Sequence, residues 1–187
     1  MIKLETNRLI LRQWLDSDIP IFAGMNRDPK VMEFFSACLS EEETEEMVTR
    51  IRVHFQKYGY GLFAVELKSS GEFIGFVGLS IPQFDAPFMP AVEIGWRISS
   101  QHFGKGYATE AAKKILEFAF DELELEEVVS FTVPRNKASQ RVMEKIGMSR
   151  DLSGDFFHPK LEKNHPLSLH VLYRIKPILV EEAELIF

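Results

Sequence analysis

The stretch Glu93 to Ala111, EIGWRISSQHFGKGYATEA, carries an alternating apolar segment through a turn holding Gly104 and Gly106 straight into an amphipathic helix pattern. The first N–H groups of a helix have no internal partners and its dipole makes that end positive, so this junction is a seat for an anion, phosphate above all. Side chains at Gly104 or Gly106 would hold the backbone away from such a guest. Two other phosphate loops do not fit: the Walker type needs Gly-X4-Gly-Lys-Ser/Thr and the dinucleotide type Gly-X-Gly-X-X-Gly, whereas residue 109 is Thr and no third glycine follows.

A second informative segment runs from Thr132 to Met148 and contains Asn136-X-X-Ser139, then Glu144-Lys145-Ile146-Gly147. A short helix capped by Asn136 and stopped by Gly147 explains its ends but not Ser139. Gln101-X-X-Gly104-X-Gly106-X-Ala108 before a helix resembles the acetyl-CoA pyrophosphate loop of the GNAT acetyltransferase superfamily, and the second segment resembles that superfamily's second signature. The opening Leu4-Glu5-Thr6-Asn7-Arg8-Leu9-Ile10-Leu11-Arg12 resembles the start of the branch that includes the ribosomal-protein alanine N-acetyltransferases.

The resemblance implies an α/β (α+β) GNAT-like fold, a mixed twisted sheet splayed between two central strands and flanked by helices, as a single domain over residues 1–187. It implies acetyl-CoA as cofactor, no metal, and direct attack of an amine on the thioester without an acyl-enzyme. The pantetheine arm would lie along the strand at Trp96, Arg97 and Ile98. The phosphates would lie on Gln101, His102, Phe103, Gly104, Lys105, Gly106, Tyr107, Ala108 and Thr109, with Asn136 and Ser139 opposite. A backbone N–H near Trp96 or Arg97 would meet the charge developing on the carbonyl oxygen. Many members place a tyrosine four residues after the Ser139 position as the acid facing sulfur; Met143 stands there, and a thioether donates no proton. The role falls to Ser139, the residue assigned it in the alanine-acetyltransferase branch.

An alkyl amine with pKa about 10.4, or an α-amine near 8, must lose a proton before it attacks. Strand alternation puts Val92, Ile94, Trp96 and Ile98 on one face and Glu93 with Arg97 on the other, so Glu93 is either the base or the partner of Arg97. His158 and His165, on a late polar loop, are its rivals. The five histidines show no ligand spacing such as His-X3-His.

These side chains need a frame. The pattern predicts an opening strand around Arg8 to Gln13 and helices from about Ser17 to Met25 and from Ser40 to Gly59, the latter with Ser40 and Glu43 at capping-box spacing. A hairpin follows at Leu62–Leu67 and Phe73–Ile81, then a proline-rich loop from Pro82 to Pro90, taken either as a plain connection or as part of a functional rim. Val92–Ile98 and Val128–Val133 read as strands, the second ended by Pro134. Gly106–Leu123 and Asn136–Ile146 read as helices, and His170–Ile175 as a closing strand.

The chain has 187 residues, 45% of them hydrophobic and 27% charged, enough for one domain with a pocket in its core. A net charge of -6 disfavours nucleic acid as main partner. No apolar run is long enough to span a membrane and Met1 to Glu5 has no signal-peptide character, so a cytoplasmic location and no membrane partner are expected. Cys38 is the only cysteine and reads as a plain buried or half-buried thiol rather than a nucleophile. A homodimer stays open. The acceptor is a protein N-terminal α-amine or a small-molecule amine, met by the early helices and the loops near residues 83–90 and 155–168. The acidic run Glu41 to Glu46 either attracts such cations or simply favours a helix dipole. The reading from another class is a non-catalytic CoA-binding module.

Overall fold

The computed structural model describes residues 2–177. Among these, strands β1 (Leu4–Glu5), β2 (Leu9–Arg12), β3 (Leu62–Leu67), β4 (Phe73–Ser80), β5 (Glu93–Ile98), β6 (Val128–Thr132), β7 (Ser149–Phe157) and β8 (Leu169–Ile175) form one sheet. Their order is β1-β2-β3-β4-β5-β6-β8-β7, and only the β5–β6 contact is parallel. Four α-helices cover it: α1 (Asp18–Arg27), α2 (Glu41–Tyr58), α3 (Tyr107–Asp121) and α4 (Lys137–Lys145). The expected single domain, 1–187, lies partly outside the described residues, at residue 1 and at 178–187.

Three features set up the site. β5 and β6 share a single register pair, Glu93↔Val129, closed by Val129 N–H donating to Val92 O (2.9 Å) and the buried Ser130 hydroxyl donating to Ile94 O (2.9 Å). Beyond Ile94 the strands part, and Pro134, which has no N–H, follows the end of β6. α3 follows β5 and lies on the sheet through Ala111, Ala112, Ile115 and Ala119, all fully buried; the three alanines let its axis come close, and burial of Ile115 contributes about 1.5–3 kcal/mol. On the opposite face, α1 is held by Arg12, whose Nη1 and Nη2 donate to Asp18 (2.7 and 2.9 Å) while its Nε donates to Glu66 (2.7 Å).

α2 begins with both halves of the capping box: the Ser40 hydroxyl accepts from Glu43 N–H (3.1 Å) and the Glu43 carboxylate accepts from Ser40 N–H (2.7 Å). Such a cap contributes about 1 kcal/mol. Gly59, in the left-handed region at φ 77°, ends the helix.

The expected hairpin, central strands and helices are all present, with ends displaced by a few residues at most. Two strands are additional. β1 is only two residues long, and β7 occupies Ser149–Phe157, part of which the sequence reads as loop. The composition of β7, SRDLSGDFF, is that of a turn, and its register slips between Asp151 and Phe156; it is a sheet-edge strand held by β8 rather than by its own propensity. The helix starts directly after Gly106, as the pattern predicts, but the 3-10 turn Ser100–His102 lies between β5 and the glycine loop, where the pattern runs the strand straight into the turn.

Candidate active site

Where β5 and β6 part, a cavity of about 900 Å³ opens, walled by β5, β6, the N-terminal turn of α3, α4, residues 30–36 and the loop before β8. Trp96, Arg97, Ile98, His102, Phe103, Gly104, Gly106, Tyr107, Ala108, Thr109, Asn136 and Ser139 all line it, as does Glu93. Gln101 and Lys105 do not. Lys105 instead uses its carbonyl to accept from Arg8 Nη1 (3.1 Å), which orients the loop from behind.

Gly104 (φ 74°) and Gly106 (φ 81°) both lie in the left-handed region, so glycine is required here by the turn as well as by any guest. A Cβ on Gly104 would meet nothing within 4 Å: the space over it is open. Gly106 caps α3 without any side-chain bond, leaving the N–H groups of Tyr107, Ala108 and Thr109 directed out of the helix end. The acid of that first turn, Glu110, is turned away and neutralised. Burial raises its pKa, but bonds from the Thr6 hydroxyl (2.6 Å), Arg8 N–H (2.9 Å) and Arg8 Nε (2.6 Å) outweigh this and lower it overall. The same Arg8 lies 4.5 Å from the Tyr107 ring centre, so the opening segment braces the loop.

Backbone groups of successive strand residues point to opposite edges. Ile94 O faces β6, so the N–H and C=O of Trp96 and Ile98 face the gap where β6 has left, whereas those of Arg97 face β4. Of the two oxyanion donors suggested by the sequence, Trp96 N–H is the one aimed at the gap.

Ser139 faces Trp96 across that gap. Its hydroxyl oxygen accepts from Trp96 Nε1 (3.2 Å) and from Asn136 Nδ2 (3.2 Å), and Asn136 Nδ2 also donates to Thr132 Oγ1 (3.0 Å). The Asn136 side-chain oxygen meanwhile accepts from Ser139 N–H (3.1 Å), which caps α4. With both lone pairs engaged, the Ser139 O–H proton is free to donate into the cavity. Met143 lines the same wall, fully buried.

Glu93 is half-buried against the cavity; burial pushes its carboxyl up to about 8, against a smaller opposing effect of the Ser80 hydroxyl. The alternative pairing with Arg97 does not form. Arg97 Nη1 donates to Asn26 Oδ1 (2.6 Å), and no carboxylate of the described residues lies within ion-pair distance. Of the rival histidines, His158 lines the cavity and His165 does not; the latter accepts from Leu167 N–H (3.1 Å). His170, which the sequence placed on a strand without a role, also lines it, its ring 5.2 Å from that of His158. Burial lowers the pKa of both rings, so neutral imidazole is favoured there.

Other candidate segments lie away from the cavity. None of residues 83–90 lines the cavity; Phe84 and Phe88 pack instead with Phe131 and Phe156 in a second apolar cluster. Of the acidic run, none lines it, and Glu43 serves the helix cap. Cys38 is exposed, where the sequence reading has it buried or half-buried, because its segment before α2 lies at the surface, and it is outside the cavity. Among the described residues no group of histidine, cysteine and carboxylate side chains is arranged to hold a metal, and no helix is long and apolar enough to cross a membrane.

Comparison with known proteins converges on one family. The model of the acetyltransferase (GNAT) domain matches residues 8–149. The chain belongs to the GNAT acetyltransferase family. It is 37% identical over 147 residues to the uncharacterised protein YkkB of Bacillus subtilis, covering 78% of this chain and 84% of that one. A GNAT-family acetyltransferase structure from Bacillus anthracis is 27% identical with a TM-score of 0.77, over 94% of this chain and 98% of the other. The ribosomal-protein-S5-alanine acetyltransferase of Vibrio fischeri superposes with a TM-score of 0.71 over 94% and 97% of the two chains, at 20% identity; that likeness is one of fold.

Acetyl-CoA is the acyl donor of GNAT acetyltransferases, and the cavity suits it. Free helix N–H groups and an open glycine suit phosphates, and unpaired β5 edge groups suit an amide-bearing arm. Arg141 and Lys145 of α4, to which the sequence analysis gives no role, line the same cavity and add positive charge. Arg8 and His170 were missed for a different reason. Both come from segments remote in sequence from either signature, and only the sheet order brings them in.

Proposed function

We propose that the protein transfers the acetyl group of acetyl-CoA to a primary amine, either a protein N-terminal α-amine or a small molecule, by direct attack in a ternary complex. The observation that carries this reading is that a half-buried carboxylate of raised pKa, Glu93, and a hydroxyl with a free proton, Ser139, line the same cavity as the anion seat of α3. Acetyl-CoA supplies the activated carbonyl and a thiolate leaving group. Glu93 takes a proton from the ammonium, directly or through a water. The amine nitrogen then bonds to the carbonyl carbon, the carbon–sulfur bond breaks, and the nitrogen gives up its second proton, through water, to the departing sulfur, so that the products are the amide and CoA thiol. Trp96 N–H steadies the charge that grows on the carbonyl oxygen, and Ser139 O–H donates to the sulfur as it becomes thiolate. Asn136 and Trp96 Nε1 hold Ser139 in place for this.

Thiol release from acetyl-CoA measured over a panel of amines tests the reading. Acceptor-dependent release supports it, whereas tight CoA binding without release on any amine would leave the non-catalytic module standing. Ser139→Ala is expected to lower kcat by about tenfold or more with little change in acetyl-CoA affinity, because a donor to the sulfur acts most strongly as charge develops. Single-turnover rates and calorimetry on the same variant check this; an unchanged kcat removes Ser139 from the chemistry.

A further inference from the structure

Arg97 poses a problem that the acetyl-transfer reading leaves unsolved. Its side chain lies on the α1 face of the sheet, opposite Trp96, and is only 7% exposed. Its single side-chain bond goes to the neutral Asn26 (2.6 Å), itself fully buried and fixed by donating to Thr44 Oγ1 (3.0 Å). The guanidinium carbon lies 4.2 Å from the Phe35 ring centre and 5.7 and 5.6 Å from those of Phe22 and Phe76. Nε is buried without any partner. No carboxylate of the described residues lies within ion-pair distance; Asp28, two residues after Asn26 in sequence, is taken by the Ser100 hydroxyl and Lys30 N–H.

An arginine drawn out of water ordinarily comes with an acid, because the desolvation of the charge is otherwise uncompensated. Here rings and one amide hold the fork, and Arg97 lines the cavity together with Phe34, Val31 and the Phe35 over which its guanidinium lies. Such a planar, pre-set fork fits a carboxylate. Burial lowers the Arg97 pKa to about 10, which still leaves the group charged at neutral pH. Glu93 sits on the same strand face four residues earlier, roughly 13 Å away along the backbone at 3.3 Å per residue, and both side chains can reach inward.

We infer that Arg97 is a specificity residue that binds the carboxylate of the acceptor, so that the substrate class is a small primary amine bearing a carboxylate, its nitrogen at Glu93 and its acid at Arg97. The backbone of Arg97 serves β4 while its side chain faces the acceptor, so the assignment is separate from any contact to the pantetheine arm. It rests on the acetyl-transfer reading and narrows it.

The test uses α-amino acids and ω-amino acids of two to six carbons, each beside its carboxamide, with thiol release from acetyl-CoA as readout. The unmodified enzyme is expected to favour at least one acid over its amide by tenfold or more in kcat/KM, carried mainly by KM. Arg97→Met, whose apolar side chain suits the ring cluster, is expected to abolish that preference while CoA affinity by calorimetry is kept; Arg97→Lys should restore part of it. A merely structural arginine would move the melting temperature and leave the acid-to-amide ratio where it was. Amides or simple alkylamines acetylated as well as the acids would overturn the inference and keep the acetyl-transfer reading. No release with any amine would overturn both.

Discussion

Gly104→Asp is expected to lower acetyl-CoA affinity at least about a hundredfold, while Gly104→Asn lowers it far less. Both residues tolerate a left-handed backbone better than other L-residues, so the φ of 74° costs the two variants a similar amount, and their side chains are nearly the same size. They differ in charge. A Cβ at residue 104 projects into space where no protein atom lies within 4 Å, which is where phosphate oxygens facing the α3 N–H groups would sit. Two unit charges 4 Å apart at an effective dielectric near 20 repel by about 4 kcal/mol, and about 1.4 kcal/mol is tenfold in affinity. Gly106 is the less clean position, because a Cβ there falls 3.6 Å from Arg8 Nη2, and an aspartate would find a cation at once. Calorimetry with acetyl-CoA on the two residue-104 variants, with melting temperatures as a folding control, decides the matter. Equal affinities for Asp and Asn would place the phosphates elsewhere.

How much of this was legible depended on whether a residue's role is local. The glycine turn, the α2 capping box and the Asn136 cap are contracts between residues a few positions apart, and the spacing alone announced them. The splay was expected from family resemblance, with Pro134 marking the place where β6 leaves its neighbour. What stayed hidden depended on partners distant in sequence. Strand alternation put Glu93 and Arg97 on one face correctly, yet could not say that Asn26, 71 positions from Arg97, would claim the arginine and leave the carboxylate alone. The edge strand β7 carries aspartates, serines and a glycine that signal a turn, and it is extended because β8 lies beside it. His170 looked like one more strand residue until the sheet set it beside His158.

The freedom of Glu93 from Arg97 leads to the second large effect. With no cation of the described residues within ion-pair distance and burial raising its pKa to about 8, Glu93 is mostly protonated at neutral pH and becomes a base as pH rises through 8. Consider an acceptor with a pKa of about 10.4. The productive pairing is ionised Glu93 with a protonated amine, so kcat/KM should rise on a limb near 8 and fall as the amine loses its proton on its own. Glu93→Gln keeps the shape and removes the base. Its kcat/KM should drop by about a hundredfold, within the usual range for general base catalysis, and the remaining rate should rise through the amine pKa because only neutral amine can then react. Folding stability offers an independent check of sign. A carboxyl whose pKa is raised from 4.5 in the unfolded chain to about 8 in the folded one keeps its proton in the native state across that window, so the contribution is full below 4.5 and is lost as pH climbs through 8. The melting temperature of the unmodified protein should therefore fall, relative to that of Glu93→Gln, between pH 5 and about 8. A variant with full activity and an unshifted acidic limb would transfer the proton to His158 and His170, whose rings, neutral through burial, face the same cavity.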